Sequence, residues 1–165
     1  MKAIVVYESL WGNTAAAARA IAEGIGSEAK ALSTAEAIAD VMADVNLIVA
    51  GSPLMGFRLP SDDILKTIGV NQSREKVKPD LSHPSMRSWL EVLPKGSGQS
   101  AAFETRIWWS PGSAAKAIQR GLESAGYRAV GENQRFIVKG KYGPLREGEL
   151  ERARLWGAQL AEMMR

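Results

Sequence analysis

Ile4-Val5-Val6-Tyr7-Glu8-Ser9-Leu10-Trp11-Gly12-Asn13-Thr14 decides the reading of this chain. Its first half is apolar and β-branched, which predicts a buried strand over 2–8. Its second half is a short loop of hydroxyl and amide side chains. Ala15-Ala16-Ala17-Ala18-Arg19-Ala20-Ile21-Ala22 then continues a strong helix former, predicting a helix from Asn13 to Ile25. A strand, a polar loop and a helix start in succession make a place to hold a phosphate. The first N–H groups of the helix and its positive end face the loop, and Ser9, Asn13 and Thr14 add side-chain donors. Each bond to a charged oxygen contributes roughly 1.5–3 kcal/mol, so several of them anchor a dianion without a lysine.

Outward from this stretch, strands and helices alternate. A weak strand at 29–32 leads to a short helix at 34–40, with Ser33 as its N-cap and Glu36 completing a capping box. Val45-Asn46-Leu47-Ile48-Val49-Ala50-Gly51 is an almost continuous apolar run, as in a central strand covered on both faces. Asp62-Asp63 open a helix after Ser61. The 69–81 segment is polar and irregular, and an amphipathic helix follows at 85–93. Strand four is expected at 99–104 and a helix at 111–125. Strand five lies within 128–138, interrupted around 131–134, and the last helix covers 147–163. This order predicts an α/β fold: a single doubly wound domain over 1–165, built on a five-stranded parallel sheet.

Composition narrows the function. The 165 residues include 21 Lys and Arg against 18 Asp and Glu, a net charge of +3. The two short lysine clusters, Lys76 with Lys78 and Lys139 with Lys141, fall short of nucleic-acid density and read as solvated faces. No cysteine is present, which excludes disulfides, thiolate metal sites and cysteine nucleophiles. No apolar run approaches the roughly 20 residues of a membrane span, and the MKAIVVY start lacks the pattern of a secretory signal. A cytoplasmic location is the expectation.

Ligands of open parallel sheets sit at the carboxyl ends of the strands. Three segments there stand out: 9–14, 52–60 with Leu54, Met55 and Phe57, and 105–112 with Ile107-Trp108-Trp109. A phosphate cradle between two apolar, aromatic loops suits a ligand with a phosphate tail and a flat ring. Other chemistries lack support. Gly96-Ser97-Gly98-Gln99-Ser100-Ala101 matches a dinucleotide fingerprint in letters but precedes a strand instead of leaving one. Neither a nucleophile elbow nor a P-loop occurs. His83, the one histidine, is expected at the surface, and Trp89 and Trp156 in the core.

At these residues the chain resembles the flavodoxin family. That family's loop reads Ser/Thr, any residue, Thr or an aromatic, then Gly-Asn-Thr, and Ser9-Leu10-Trp11-Gly12-Asn13-Thr14 matches it. Phe103-Glu104-Thr105-Arg106 and the tail Gly143-Pro144-Leu145…Gly148-Glu149-Leu150 are similar to a bacterial subgroup of flavodoxin domains. The resemblance implies flavin mononucleotide (FMN), with Ser9, Leu10, Trp11, Gly12, Asn13 and Thr14 around its phosphate. It implies Pro53, Leu54, Met55 and Gly56 beside the isoalloxazine ring, where the Gly56 peptide can turn its carbonyl towards flavin N5. Thr105 and Arg106 belong to the third segment, and Trp108 or Trp109 stacks on the outer ring face or faces a partner. The function implied is electron transfer to a redox partner protein or a small-molecule acceptor. Two other readings stay open: a small FMN-dependent NAD(P)H/quinone-type reductase, and a flavin-free, flavodoxin-shaped protein-binding module. Electron-carrying flavodoxins are strongly acidic, so the +3 charge of this chain predicts a less strongly reducing flavin.

Overall fold

The alternation of side chains along the first strand explains the layering. In the computed structural model, which describes residues 1–165, β1 (Ala3–Tyr7) sends Ala3 and Val5 to one face of the sheet and Ile4 and Val6 to the other. Both sets are buried, as a central parallel strand requires. The remaining elements are α1 (Asn13–Ile25), β2 (Lys30–Ser33), α2 (Ala39–Met42), β3 (Leu47–Pro53), α3 (Asp62–Val70), α4 (Met86–Val92), β4 (Gln99–Ile107), α5 (Ala115–Ser124), β5 (Arg128–Ala129), β6 (Gln134–Val138) and α6 (Glu149–Met163). All strand pairings are parallel, in the order β2-β1-β3-β4, with β5 and β6 both beside β4. The fold is thus the doubly wound α/β sheet that the alternation predicts.

On one face, Ala17 and Ile21 of α1 and Ala153, Trp156 and Leu160 of α6 cover Val5, Val49, Phe103 and Phe136. Phe103, Phe136 and Trp156 meet edge to face or tilted, at centroid distances of 5.9–6.3 Å. Two glycines let α1 and α6 approach closely. A Cβ on Gly24 would lie 1.9 Å from the Arg154 carbonyl oxygen, and one on Gly157 would lie 2.2 Å from that of Ile21. On the other face, Met86 and Trp89 of α4 and Ile118 and Leu122 of α5 cover Ile4, Val6, Ile48 and Ala50. Trp89 and Trp156 are core residues, as their helical spacing predicts.

Four details differ from the sequence expectations, each for an identifiable reason. The capping box forms, with Ser33 N–H donating to Glu36 Oε1 (3.0 Å) and Glu36 N–H to Ser33 Oγ (3.3 Å). It closes only a turn, because Trp89 Nε1 donates to the Ala37 carbonyl (2.9 Å) and Ile38 is extended; the helix occupies Ala39–Met42 instead. β3 runs to Pro53 and β4 to Ile107, each past its expected end, because their ends pair with one another: Ser52 lies opposite Glu104 and Pro53 opposite Thr105. Thr105 and Arg106 are therefore strand residues, not loop residues. α5 starts at Ala115 because the buried Glu104 carboxylate takes the N–H groups of Ala114 and Ala115. The fifth strand is interrupted where expected, four steps along β4, from Gln99 to Phe103, facing six along the edge, from Arg128 to Gln134. His83 is half-buried, held against Ser9.

Candidate functional site

The loop leaving β1 is built to present backbone N–H groups. Gly12 adopts φ +92°, a left-handed turn that its N–H closes onto Ser9 Oγ at 3.1 Å. α1 starts immediately afterwards without a side-chain cap. The N–H groups of Leu10, Trp11, Asn13, Thr14 and Ala15 consequently have no protein acceptor. His83 steadies the loop from behind: its Nε2 lies 2.8 Å from the Ser9 carbonyl oxygen and 3.4 Å from its nitrogen. In front, Thr14 and Thr105 meet through their hydroxyls at 2.8 Å.

The irregular segment after α3 has a definite task. Asp80 N–H donates to the Leu10 carbonyl (2.8 Å), and Trp11 Nε1 donates to the Val77 carbonyl (2.9 Å). Farther along, Glu75 takes the Lys141 ammonium at 2.8 Å and the Tyr142 hydroxyl, while Lys76 N–H reaches the same hydroxyl at 3.2 Å. The ring of Trp11 packs edge-on against Tyr142, centroids 5.4 Å apart. The segment thus forms a strap joining the loop after β1 to the loop after β6. These two hydrogen bonds hold the Glu75 carboxyl below the usual carboxylate range, that from Lys141 being the stronger.

A cleft of about 260 Å³ opens beside this loop. Ser9, Leu10, Trp11, Asn13 and Thr14 form one end; Pro53, Leu54 and Met55 from β3, Thr105, Arg106 and Ile107 from β4, and Val138 and Lys141 form the rest. No carboxylate lines it. Beyond β3, residues Met55 to Arg58 make a tight turn closed by reciprocal bonds of 2.9 and 3.3 Å. Gly56 and Phe57 occupy its centre at φ +58° and +66°, the signature of a type I′ turn. A bulky residue such as Phe57 is strained there, and strain of this kind concentrates at functional rims.

Buried charge organises the third wall. Glu104 and Arg106, with side chains 1% and 4% exposed, form an ion pair at 3.0 Å. The other oxygen of Glu104 accepts from Ser113 Oγ and from the Ala114 and Ala115 N–H groups, and Arg106 also donates to the Gly112 carbonyl. The positive charge of the guanidinium is thus compensated by a carboxylate inside the protein. On the far side of the Ser9 loop lies a second cleft, with Glu8, Asp62, Lys66, Asp80 and His83 in its walls. Burial pushes the Glu8 carboxyl up, against the opposing pull of the Met86 N–H that Oε1 accepts at 3.0 Å.

Of the residues singled out in the sequence, the structure brings Ser9, Leu10, Trp11, Asn13, Thr14, Pro53, Leu54, Met55, Thr105 and Arg106 into the one cleft. Gly12 shapes the loop without lining it, and Gly56 sits in the turn at the rim. Trp108 and Trp109 lie outside the lining, 65% and 63% exposed. Ile107, part of the third segment, also lines it, whereas Val138 and Lys141 lie outside the three segments singled out in the sequence. The strand-end rule that selects the other segments also points to 138–141, but a short stretch of Val, Lys and Gly carries no motif of its own.

No family model and no curated protein matches the chain in sequence. Solved structures do match in fold. A flavodoxin from the domain Archaea superposes with a TM-score of 0.69 at 22% identity, covering 99% of both chains. Flavodoxin 1 from Bacillus cereus gives 0.66 at 20% identity over 98% of each. The rubredoxin oxygen:oxidoreductase of Desulfovibrio gigas gives 0.61 at 17% identity, with 99% of this chain matching 36% of that larger one. The chain has the flavodoxin-like fold over its whole length.

Proposed function

We propose that this chain, as a single flavodoxin-like domain, binds FMN in the cleft at the end of β1, β3 and β4 and carries electrons. One observation carries the reading: five N–H groups without a protein acceptor stand at a helix start beside a cleft that has apolar residues and two cations in its other walls and no carboxylate. The donor set suits a phosphate dianion. Pro53, Leu54, Met55, Ile107 and Val138 suit a flat ring. FMN supplies the redox chemistry when bound, and the protein supplies position and electrostatics.

In this reading the amides of Leu10, Trp11, Asn13, Thr14 and Ala15 take the phosphate, and Gly12 sets their direction. Thr105 holds Thr14 in place. The Gly56 peptide, at the centre of the tight turn after β3, faces the ring edge. Phe57, 58% exposed, and the paired Trp108 and Trp109 form a rim. The two segments touch, since Arg58 bridges to Ser113 and the Phe57 carbonyl packs against Gly112. This aromatic rim supports approach of a redox partner protein or a small acceptor at the open side. No helix is long and apolar enough to cross a membrane, and a cytoplasmic location is part of the proposal.

The visible spectrum of the purified protein and titration of the apo-protein with FMN test the reading. Flavin bands, or saturable binding weakened by Thr14→Val, support it; a colourless protein indifferent to FMN sinks it. NADPH-dependent quinone turnover by the purified protein would replace the carrier by a reductase.

A further inference from the structure

Two cations line the cleft, Arg106 and Lys141. Only one has a charge to offer. Arg106 is neutralised by the buried Glu104 carboxylate at 3.0 Å, its Nη1 donating both to Glu104 and to the Gly112 carbonyl, and its side chain is 4% exposed. Lys141 is half-exposed, with its ammonium 5.6 Å from the centre of the Trp11 ring, on the same loop that presents the free amides. Its single anionic partner is Glu75 at 2.8 Å. Glu75 has a second donor in Tyr142 and does not depend on the lysine for satisfaction.

We propose that Lys141 is the residue that makes this cleft discriminate a phosphorylated flavin from its unphosphorylated counterpart, with Glu75 parking the ammonium until the phosphate arrives. The inference rests on the FMN reading above. A phosphate monoester carries nearly two negative charges at neutral pH, against one on Glu75, so the ammonium gains by exchanging partners. The flexible four-carbon stem permits the exchange without backbone movement. The retained Tyr142 bond keeps the strap closed while it happens. The lysine side chain is half-exposed, so the exchange is screened by salt.

The test is titration of the wild type, Lys141→Met, Lys141→Arg and Glu75→Gln with FMN, riboflavin and inorganic phosphate, followed by flavin and tryptophan fluorescence at two salt concentrations. Lys141→Met is expected to weaken FMN and phosphate by roughly tenfold and leave riboflavin unchanged. Lys141→Arg should retain most of the FMN affinity, and Glu75→Gln should tighten FMN a few-fold. The salt dependence for FMN should be shallower in Lys141→Met. Equal loss of riboflavin and FMN in Lys141→Met, or no loss of either, overturns the proposal. Wild-type protein that binds phosphate through Lys141 but neither flavin refutes the FMN reading while leaving the anion role of Lys141 in force. Flavin binding indifferent to Lys141 refutes the anion role alone.

Discussion

Thr14 and Thr105, 91 residues apart in sequence, share one buried hydrogen bond of 2.8 Å between their hydroxyls. It ties the first turn of α1 to the end of β4 and so sets the spacing between the amide loop and the facing wall of the cleft. Thr105→Val keeps the shape and removes the partner, leaving the Thr14 hydroxyl buried and unsatisfied. The expected cost is about 1–2 kcal/mol in urea unfolding. Adding Thr14→Val to that variant should recover part of the loss, because no orphan remains. Strict additivity in this double-mutant cycle would count against the coupling.

Glu104 offers a sharper case. Its carboxylate neutralises Arg106 and receives the first N–H groups of α5. Glu104→Ala leaves a buried guanidinium uncompensated and two amides without acceptors, and should destabilise by about 3–5 kcal/mol. Glu104→Gln retains an acceptor for α5 and should lose distinctly less. Equal losses in the two variants would show that charge, not capping, governs the site.

Glu8 should give the stability a pH dependence of known sign. Burial raises its carboxyl above the ordinary value of 4.5, so the native state prefers the protonated form. Its favourable contribution is complete below the ordinary value and is lost as pH rises through the raised native one. In Glu8→Gln the Met86 N–H keeps an acceptor and the charge is gone. Stability of this variant relative to wild type should therefore grow with pH and then level off. Parallel stability curves from pH 4 to 8, measured by chemical denaturation, would contradict this assignment.

At Gly24 and Gly157 the usual helix rule should reverse. Alanine in an exposed helix interior stabilises by about 1 kcal/mol over glycine. Here the new methyl group meets a backbone carbonyl of the opposing helix, which no rotamer change relieves. Gly24→Ala and Gly157→Ala should each destabilise by about 1–3 kcal/mol in thermal unfolding. A raised melting temperature in either would show that α1 and α6 can separate freely.

With FMN bound, the electrostatics of the cleft set the ease of the second reduction. Negative surroundings oppose added negative charge, and this cleft has no carboxylate in its lining while the chain carries +3. A redox titration should give a second step less negative than in an acidic carrier. A very low second potential would argue against it.

Much of this was legible in the residue order. The polar loop between a β-branched run and an alanine-rich helix marked the cleft, because strand and helix periodicities are local properties. Ser33 and Glu36 show the limit of such signals: their reciprocal bonds form as expected, yet a distant Trp89 takes the Ala37 carbonyl and the helix begins later. The same holds for Thr105 and Arg106. No local pattern extends β4 beyond Glu104; pairing with the end of β3 does. His83 beside Ser9 and Lys141 beside Trp11 depend on contacts spanning 74 and 66 or more residues, such as those of His83 with Ser9 and of Lys141 with Glu75.

The sequence by itself determined the alternation of strands and helices, the parallel sheet and the amide loop at the start of α1, since each follows from short-range periodicity and backbone preference. Only the tertiary structure decided which charges are free. Arg106 and Lys141 look alike as letters, yet a buried carboxylate two residues away engages the first, while the second rests on an exchangeable partner brought to it by the strap. Charge availability depends on burial, and for Lys141 on a neighbour 66 residues away, and neither is a property of a local stretch.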